Sequence, residues 1–301
     1  MSSTCILVAG DTRIGDLVAL AAGTTTTAVV VGHRAVADAV AASGVHAVVW
    51  LGEPSTGIPL EAYAHAVARV VAQAAPDLVL AAARPAERVL AGAVVAALGA
   101  PAFTLVSAVR VSDGSVELTR SVFGGIAQET DVVTGTAVVV VDGGPAVEAG
   151  AGVPVTETSA EPLPGVTVVE DRPVTRAAVD LTRASRIVSA GRGVKSQADL
   201  VMVDALAAAL GAEAACSRPL AEGLGWYARD RYVGVTGQHV RPDLYVAVGV
   251  SGQLQHTVGA RGAGTIVAIN ADKDCPYFAE ADYCVVGDLY AIVPALTEAL
   301  S

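Results

Sequence analysis

The sequence predicts an α/β protein of two doubly wound parallel-sheet domains joined by a Pro-rich linker. Three observations carry that prediction. Short β-branched runs alternate with Ala-rich amphipathic segments over the first 142 residues, the pattern fails between Gly143 and about Arg183, and it resumes at Arg186. Strands and helices alternating with connections this short form βαβ units, which lay the strands parallel and cover both faces of the sheet. A chain of 301 residues is long enough for two such domains at roughly 150 residues each.

In the first series strands are expected at Cys5–Ala9, Ala28–Val31, Ala47–Leu51, Leu78–Ala82 and Ala137–Val141, and helices at Ile14–Ala22, Arg34–Ala42, Leu60–Ala74 and Ala86–Leu98. Phe103–Val111 and Val116–Val122, joined by Ser112-Asp113-Gly114-Ser115, read as a hairpin added to that sheet. From Gly143 onward Gly143-Gly144-Pro145, Pro154, Pro162, Pro164 and Pro173 interrupt any long element, so residues 151–184 are expected to be the linker between a domain at 1–150 and another at 185–301. The second series reads as strands at Ile187–Ala190, Ala212–Cys216, Leu244–Val248, Ile266–Ile269 and Tyr283–Val286. Its helices fall at Asp199–Leu210, Gly252–Gly259 and Leu289–Leu300.

Composition narrows the function. Hydrophobic residues make up 53% of the chain and charged residues 16%, which excludes a disordered or fibrous protein. Aromatics are only 4%, so the core must be built from Ala, Val and Leu. The net charge is −11, and neither half carries a basic stripe with aromatic platforms, which argues against nucleic-acid binding. Val89 to Val109 runs 21 residues without a charge, but Gly99-Ala100-Pro101 reads as a helix stop followed by a strand, so no membrane insertion is expected. Four cysteines without C-x-x-C spacing read as reduced thiols, and the five histidines never pair at ligand spacing, so no metal site is expected. With no basic start of a signal peptide, the expectation is an acidic cytoplasmic protein.

Ligands of open parallel sheets sit beyond the carboxyl ends of the strands, and the loops there hold the candidate residues. Gly191-Arg192-Gly193-Val194-Lys195-Ser196 follows a strand and opens a helix, but Val194 and Ser196 stand where the standard phosphate fingerprints need Gly. It reads either as a phosphate loop or as a Gly-rich turn with a Ser cap. Gly249-Val250-Ser251-Gly252 lacks the final Gly of a nucleophile elbow, because Gln253 stands there; a glycine turn offering free N–H groups to an anion fits better. Arg218 reads alone as a solvated charge, Thr236 and Asn270 as turn residues, and Asp288 as an N-cap. Together they occupy the loops after successive strands.

Leu244-Tyr245-Val246-Ala247-Val248-Gly249-Val250-Ser251-Gly252-Gln253-Leu254-Gln255-His256, then Gly259 and Ile266-Val267-Ala268-Ile269-Asn270, resembles the alpha subunit of electron-transfer flavoproteins in residue identity and spacing. Arg192 with its flanking glycines, Ser217-Arg218, Val233-Gly234-Val235-Thr236-Gly237 and Gly287-Asp288-Leu289 follow the same family pattern in the same order. The resemblance implies FAD in the second domain, a heterodimer with an electron-transfer flavoprotein beta subunit, and electron flow from a donor dehydrogenase to a quinone reductase or other acceptor. It implies a carrier with no catalytic residues of its own. By that likeness Arg192, Ser217 and the Ser251 turn would hold the pyrophosphate, Asn270 and Asp288 the adenosine end, and Arg218, Thr236, Gln255 and His256 the flavin ring. Val233, Gly234, Val235, Gly252, Gln253, Leu254 and Leu289 complete the predicted set. Reducing a flavin builds negative charge, and Arg218 and His256 are suited to supply a cation or strong donor there. Val235, Leu254 and Cys275 depart from the family's usual residues. The rival reading is an NAD- or nucleotide-dependent enzyme on the same scaffold, which would need an acid, base or nucleophile converging on the cofactor.

Overall fold

The structure, a computed structural model, describes residues 2–112, 114–171 and 179–300, and the chain divides into two compact units, Met1–Arg172 and Pro173–Ser301. In the first unit the strands are β1 (Ser3–Ala9), β2 (Thr25–Val31), β3 (Ala47–Trp50), β4 (Leu78–Ala82), β5 (Ala102–Thr104), β6 (Val106–Ser112), β7 (Ser115–Val122), β8 (Ala127–Thr134), β9 (Ala137–Val141) and β10 (Val155–Glu157). The helices are α1 (Gly15–Leu20), α2 (Arg34–Ala41), α3 (Ala64–Ala74) and α4 (Pro85–Leu98). Seven of these strands form one parallel sheet in the order β10-β3-β2-β1-β4-β9-β5.

Alternate residues of each strand feed opposite faces. Ile6, Val8, Val30, Leu78 and Leu80 pack on one side with Ile14 just before α1, Leu17 of α1 and Val40 of α2, while Leu7, Val29, Val79 and Val138 pack on the other with Val67 of α3 and Leu90 of α4. Each such Val or Leu contributes about 1.5–3 kcal/mol when fully buried. Local signals set the helix ends: Pro85 occupies the first turn of α4, where no N–H is needed, and Gly99 closes the helix at φ 60°. That stop cuts the long uncharged run, and among the described residues no helix is long and apolar enough to cross a membrane.

Two expectations are corrected here. The hairpin is not an extension of the parallel sheet. Only the short β5 joins that sheet, Leu105 then turns the chain at φ 58°, and β6, β7 and β8 form a separate three-stranded antiparallel sheet. The β8 sequence was invisible to periodicity because its residues are mostly exposed and polar; it is held by cross-strand ion pairs from Arg120 to Asp131 and Glu129, each 2.7 Å. The Asp113 of the expected turn lies outside the described residues. The stretch expected as linker is attached to the first unit: Val155–Glu157 pairs with β3, Gly150 N donates to Ala42 O, Leu163 N to Ala62 O and Val168 N to Gly57 O, each at 2.8 Å. Backbone pairing, which needs no apolar pattern, holds Pro154, Pro162 and Pro164 here; residues 172–178, with Pro173, lie outside the described residues.

The second unit holds β11 (Arg186–Ala190), β12 (Glu213–Cys216), β13 (Leu244–Val248), β14 (Thr265–Asn270) and β15 (Tyr283–Val286), with α5 (Leu200–Leu210), α6 (Leu254–Ala260) and α7 (Leu289–Leu300). Its sheet is entirely parallel, in the order β12-β11-β13-β14-β15. Val188, Val246 and Ile269 face α5 and α7 through Val203, Leu206 and Val293. Ile187, Tyr245 and Ala268 face the α6 side through Ala260, with Val233 and Tyr277. Both units are therefore doubly wound.

Candidate functional site

Strand register brings the predicted residues to one edge. Ala190 pairs with Cys216 and Val248, Val248 with Ile269, and Asn270 with Val286, so all five strands of the second unit end level. The loops after them carry Arg192, Ser217 with Arg218, Ser251 to Gln255, Asn270, and Asp288 with Leu289. Val233 to Thr236 joins the same edge, because Val233 N donates to Cys216 O (3.0 Å) and Val235 N to Gln255 O (2.8 Å). The strand order reverses between β11 and β13, which is where doubly wound sheets open a crevice for ligands.

At that reversal the two glycine loops meet backbone to backbone. A Cβ on Gly191 would strike the Gly249 carbonyl oxygen, and one on Gly193 would lie 2.8 Å from Gly249 Cα. Gly249 itself sits at φ 64°, a conformation that costs other residues dearly, and it rests on the buried Leu289 side chain. Leu289 is thus the floor beneath the loops. The loop after β11 is further latched to α7: Tyr290 donates its hydroxyl to Asp199 (2.7 Å) and accepts from Lys195 N (2.8 Å), while Ser196 and Asp199 form a capping box. Asp288 caps α7 by accepting from Tyr290 N at 3.0 Å. The Asn270 side chain donates to Val250 O and Cys275 Sγ, both 3.1 Å, and so fixes the floor of the turn after β13.

Against this braced frame, a row of donors is left open. Among the described residues none of the backbone N–H groups from Val250 to Gln255 has a protein acceptor, although the flanking Gly249 N is bonded to Ile269 O and His256 N to Gln253 O. The Arg192 side chain is exposed and has no acidic partner among the described residues, and the Ser217 hydroxyl is free of protein bonds while the residue is 8% exposed. Successive unbonded N–H groups and a free guanidinium are the kinds of donor that anions take.

The remaining predicted residues divide. Thr236 is exposed, with its hydroxyl 3.3 Å from that of Tyr232, and Val235 and Leu254 present apolar side chains to solvent. Gln253 and Gln255 are exposed, while Gly234 and Gly252 pack against Tyr232 and Tyr277 where no Cβ would fit. Arg218 is exposed and bound by Glu222 at 2.7 Å. Of the expected cation or strong donor at His256, burial bears on the cation. The His256 ring is buried between Tyr245, whose hydroxyl lies 2.9 Å from Nε2, and Tyr277. Burial pushes its pKa down to about 4, only partly offset by the Val233 backbone, so His256 is neutral near pH 7 and supplies no positive charge.

The corresponding reversal in the first unit, between β1 and β4, is filled by the chain itself. Glu87 is buried there, accepting from Ala9 N and pairing with Arg84 at 2.6 Å, and Arg84 also reaches Asp11 and the Arg13 carbonyl. The first N–H groups of α1 are taken by the 143–145 strap, from Gly15 to Pro145 O and from Asp16 to Gly143 O. An incoming phosphate would find those donors already occupied.

A doubly wound unit with glycine turns and open N–H groups at its strand reversal is a nucleotide-cofactor domain. Residues 16–171 match the electron transfer flavoprotein domain family, and residues 180–261 match the electron transfer flavoprotein FAD-binding domain. The chain is 38% identical over 252 residues to YdiR of Escherichia coli (strain K12), named as an electron transfer flavoprotein subunit, covering 80% of this chain and 79% of that one. FixB of Escherichia coli O6:K15:H31 (strain 536 / UPEC) is 38% identical over 257 residues, covering 83% and 82%, and FixB of Escherichia coli O1:K1 / APEC is 43% identical over 201 residues, covering 65% and 64%. The chain belongs to the electron transfer flavoprotein family, as a subunit of the alpha type, and the cofactor of its second domain is FAD.

The residues present suit that cofactor. Its pyrophosphate needs donors without competing acceptors, and the N–H groups of Val250 to Gln255 and the Arg192 side chain would be such donors. Asp199, Glu222, Tyr245 and Tyr290, which brace these side chains and loops, are not among the predicted site residues. Ser196-Gln197-Ala198-Asp199 is a capping-box spacing and Arg218 with Glu222 an i,i+4 pair, so two of the four were within reach of local rules. Tyr245 and Tyr290 act through tertiary contacts that carry no local signal.

Proposed function

We propose that this chain is the FAD-carrying subunit of a heterodimer with an electron-transfer flavoprotein beta subunit. It passes electrons from the flavin of a donor dehydrogenase to a quinone reductase or another acceptor and turns over no substrate of its own. The observation that supports this most is the run of unbonded N–H groups from Val250 to Gln255 on the same sheet edge as the unpaired Arg192. Bound FAD supplies reversible uptake of electrons one or two at a time.

In this reading the chain's own residues bind and orient. Arg192, the Ser217 hydroxyl and the turn at Ser251 hold the pyrophosphate by charge and by open donors. Asn270 and Asp288 shape the adenosine end, and their bonds to Val250 O and Tyr290 N make both positioning residues for the neighbouring loops. Thr236 offers a neutral hydroxyl, Gln255 an amide, and neutral His256 a ring held in orientation by Tyr245. Arg218 supplies the positive charge. Val235 and Leu254, half-exposed, exclude water once covered. The first unit, whose strand reversal is filled internally, serves docking of the partner.

Co-expression with a beta-type subunit, followed by purification, an absorption spectrum and cofactor extraction, tests the reading. A yellow 1:1 complex releasing FAD is expected. A complex that carries NAD and no flavin contradicts it.

A further inference from the structure

We infer that Glu222 sets the charge that Arg218 presents to the cofactor, acting as a positioning and screening residue shared between two arginines. The inference rests on the placement of Arg218 at the flavin under the proposed function. Glu222 grips Arg218 Nε through Oε2 at 2.7 Å and Arg229 Nε through Oε1 at 3.2 Å. One carboxylate therefore binds two guanidinium groups, and the cluster has a net charge of +1.

The backbone is shaped to bring the three together. Pro219–Gly223, directly after Arg218, is wound as one π-helical turn, closed by Leu224 N donating to Pro219 O at 2.9 Å. Such turns are rare and recur at functional sites. Arg229 returns on the 3₁₀ turn Arg229–Arg231, which leads straight into Val233 to Thr236 at the cofactor edge. Arg218 and Arg229 are both well exposed, at 62% and 76% of their side chains, whereas Glu222 is 28% exposed. Without the carboxylate neither arginine has a fixed place.

Two consequences follow from charge alone. The carboxylate holds the Arg218 guanidinium in one rotamer, and it opposes part of the field that favours added negative charge on the flavin. Arg229, drawn to the second oxygen, offsets that opposition. Removing the charge of Glu222 and removing that of Arg229 must therefore move the flavin potential in opposite directions.

The test uses the FAD-loaded heterodimer and reads the midpoint potential by spectroelectrochemical titration, with flavin content first shown equal. Glu222→Gln keeps the shape and should raise the potential, toward a tenfold gain in the one-electron reduction equilibrium, which is 59 mV. Arg229→Gln should lower it, and both shifts should shrink when ionic strength rises, because the cluster is solvent-facing. Arg218→Ala should lower it as well. A lowered potential in Arg218→Ala with no rise in Glu222→Gln overturns the role of Glu222 and leaves the assignment of Arg218 standing. An unchanged potential in Arg218→Ala removes Arg218 from the site and, with it, this inference. If Glu222→Gln cannot hold flavin, Arg229→Gln decides, and an unchanged potential there counts against the proposal.

Discussion

Replacing Gly249 by Ala tests the backbone contact at the strand reversal. Gly249 lies at φ 64°, which costs a residue with a Cβ about 1–2 kcal/mol. The new methyl would stand 2.9 Å from both Gly193 Cα and Leu289 Cδ2, and forcing a carbon into so tight a space costs about 1–3 kcal/mol more. The expected loss is therefore about 2–5 kcal/mol, confined to the second unit. Gly211→Ala is the control, since Gly211 has nearly the same φ, 59°, but its nearest neighbour is the Arg186 Nη1 at 4.0 Å, so only the backbone cost of about 1–2 kcal/mol applies. The chain has two tryptophans, Trp50 in the first unit and Trp226 in the second. In a Trp50→Phe background, urea unfolding followed by Trp226 fluorescence reports the second unit alone. Equal losses in Gly249→Ala and Gly211→Ala would refute the contact between the two glycine loops.

Other expectations follow from the same contacts. Arg192→Gln should leave the apo chain as stable as before, because no protein partner is lost, while weakening FAD by about 10–150-fold in a fluorescence titration; that corresponds to one charge-assisted bond of about 1.5–3 kcal/mol. Glu87→Gln should destabilise the first unit by about 3 kcal/mol in urea unfolding read through Trp50 in a Trp226→Phe background, and leave flavin affinity unchanged. The buried His256 predicts a pH dependence: folded, it stays neutral down to about pH 4, whereas unfolded it takes up a proton near 6.5. The unfolded state binds more protons between those values, so the stability of the second unit, full above pH 6.5, should fall by about 3 kcal/mol as pH drops to 4, and His256→Gln should flatten that slope. Tyr290→Phe loses the bonds to Asp199 and Lys195 N and should loosen the 191–196 loop, seen as a higher Kd for FAD.

Much of the fold was legible because a parallel sheet buried on both faces writes itself as continuous apolar runs. The strands at Leu78–Ala82 and Leu244–Val248 were read at their observed limits for that reason. What escaped depends on exposed or non-periodic chain: β8 turns Gln128, Glu129 and Thr130 to solvent, and β10 is three residues held by backbone bonds. The edge of the second sheet was legible as a set of loops, since glycine at Gly191, Gly193 and Gly249 marks close backbone approach. The states of individual side chains were not. That His256 is neutral depends on burial against Tyr245 and Tyr277, and that Arg218 shares a carboxylate with Arg229 depends on a π-helical turn, neither of which has a sequence period.

In the proposed function the cofactor seats on the open N–H groups at the carboxyl edge of the second sheet. Hydrogen–deuterium exchange of the intact chain, with and without FAD, measures this directly, because an amide without an acceptor exchanges fast until a ligand bonds it. Strong protection is expected at Val250 to Gln255 and around Arg192 on adding FAD, with little change in the first-unit segments that hold Gly10, Arg13, Gly15, Asp16 and Ala83, whose N–H groups are already bonded. Protection confined to those first-unit segments, with Val250 to Gln255 unchanged, would contradict it.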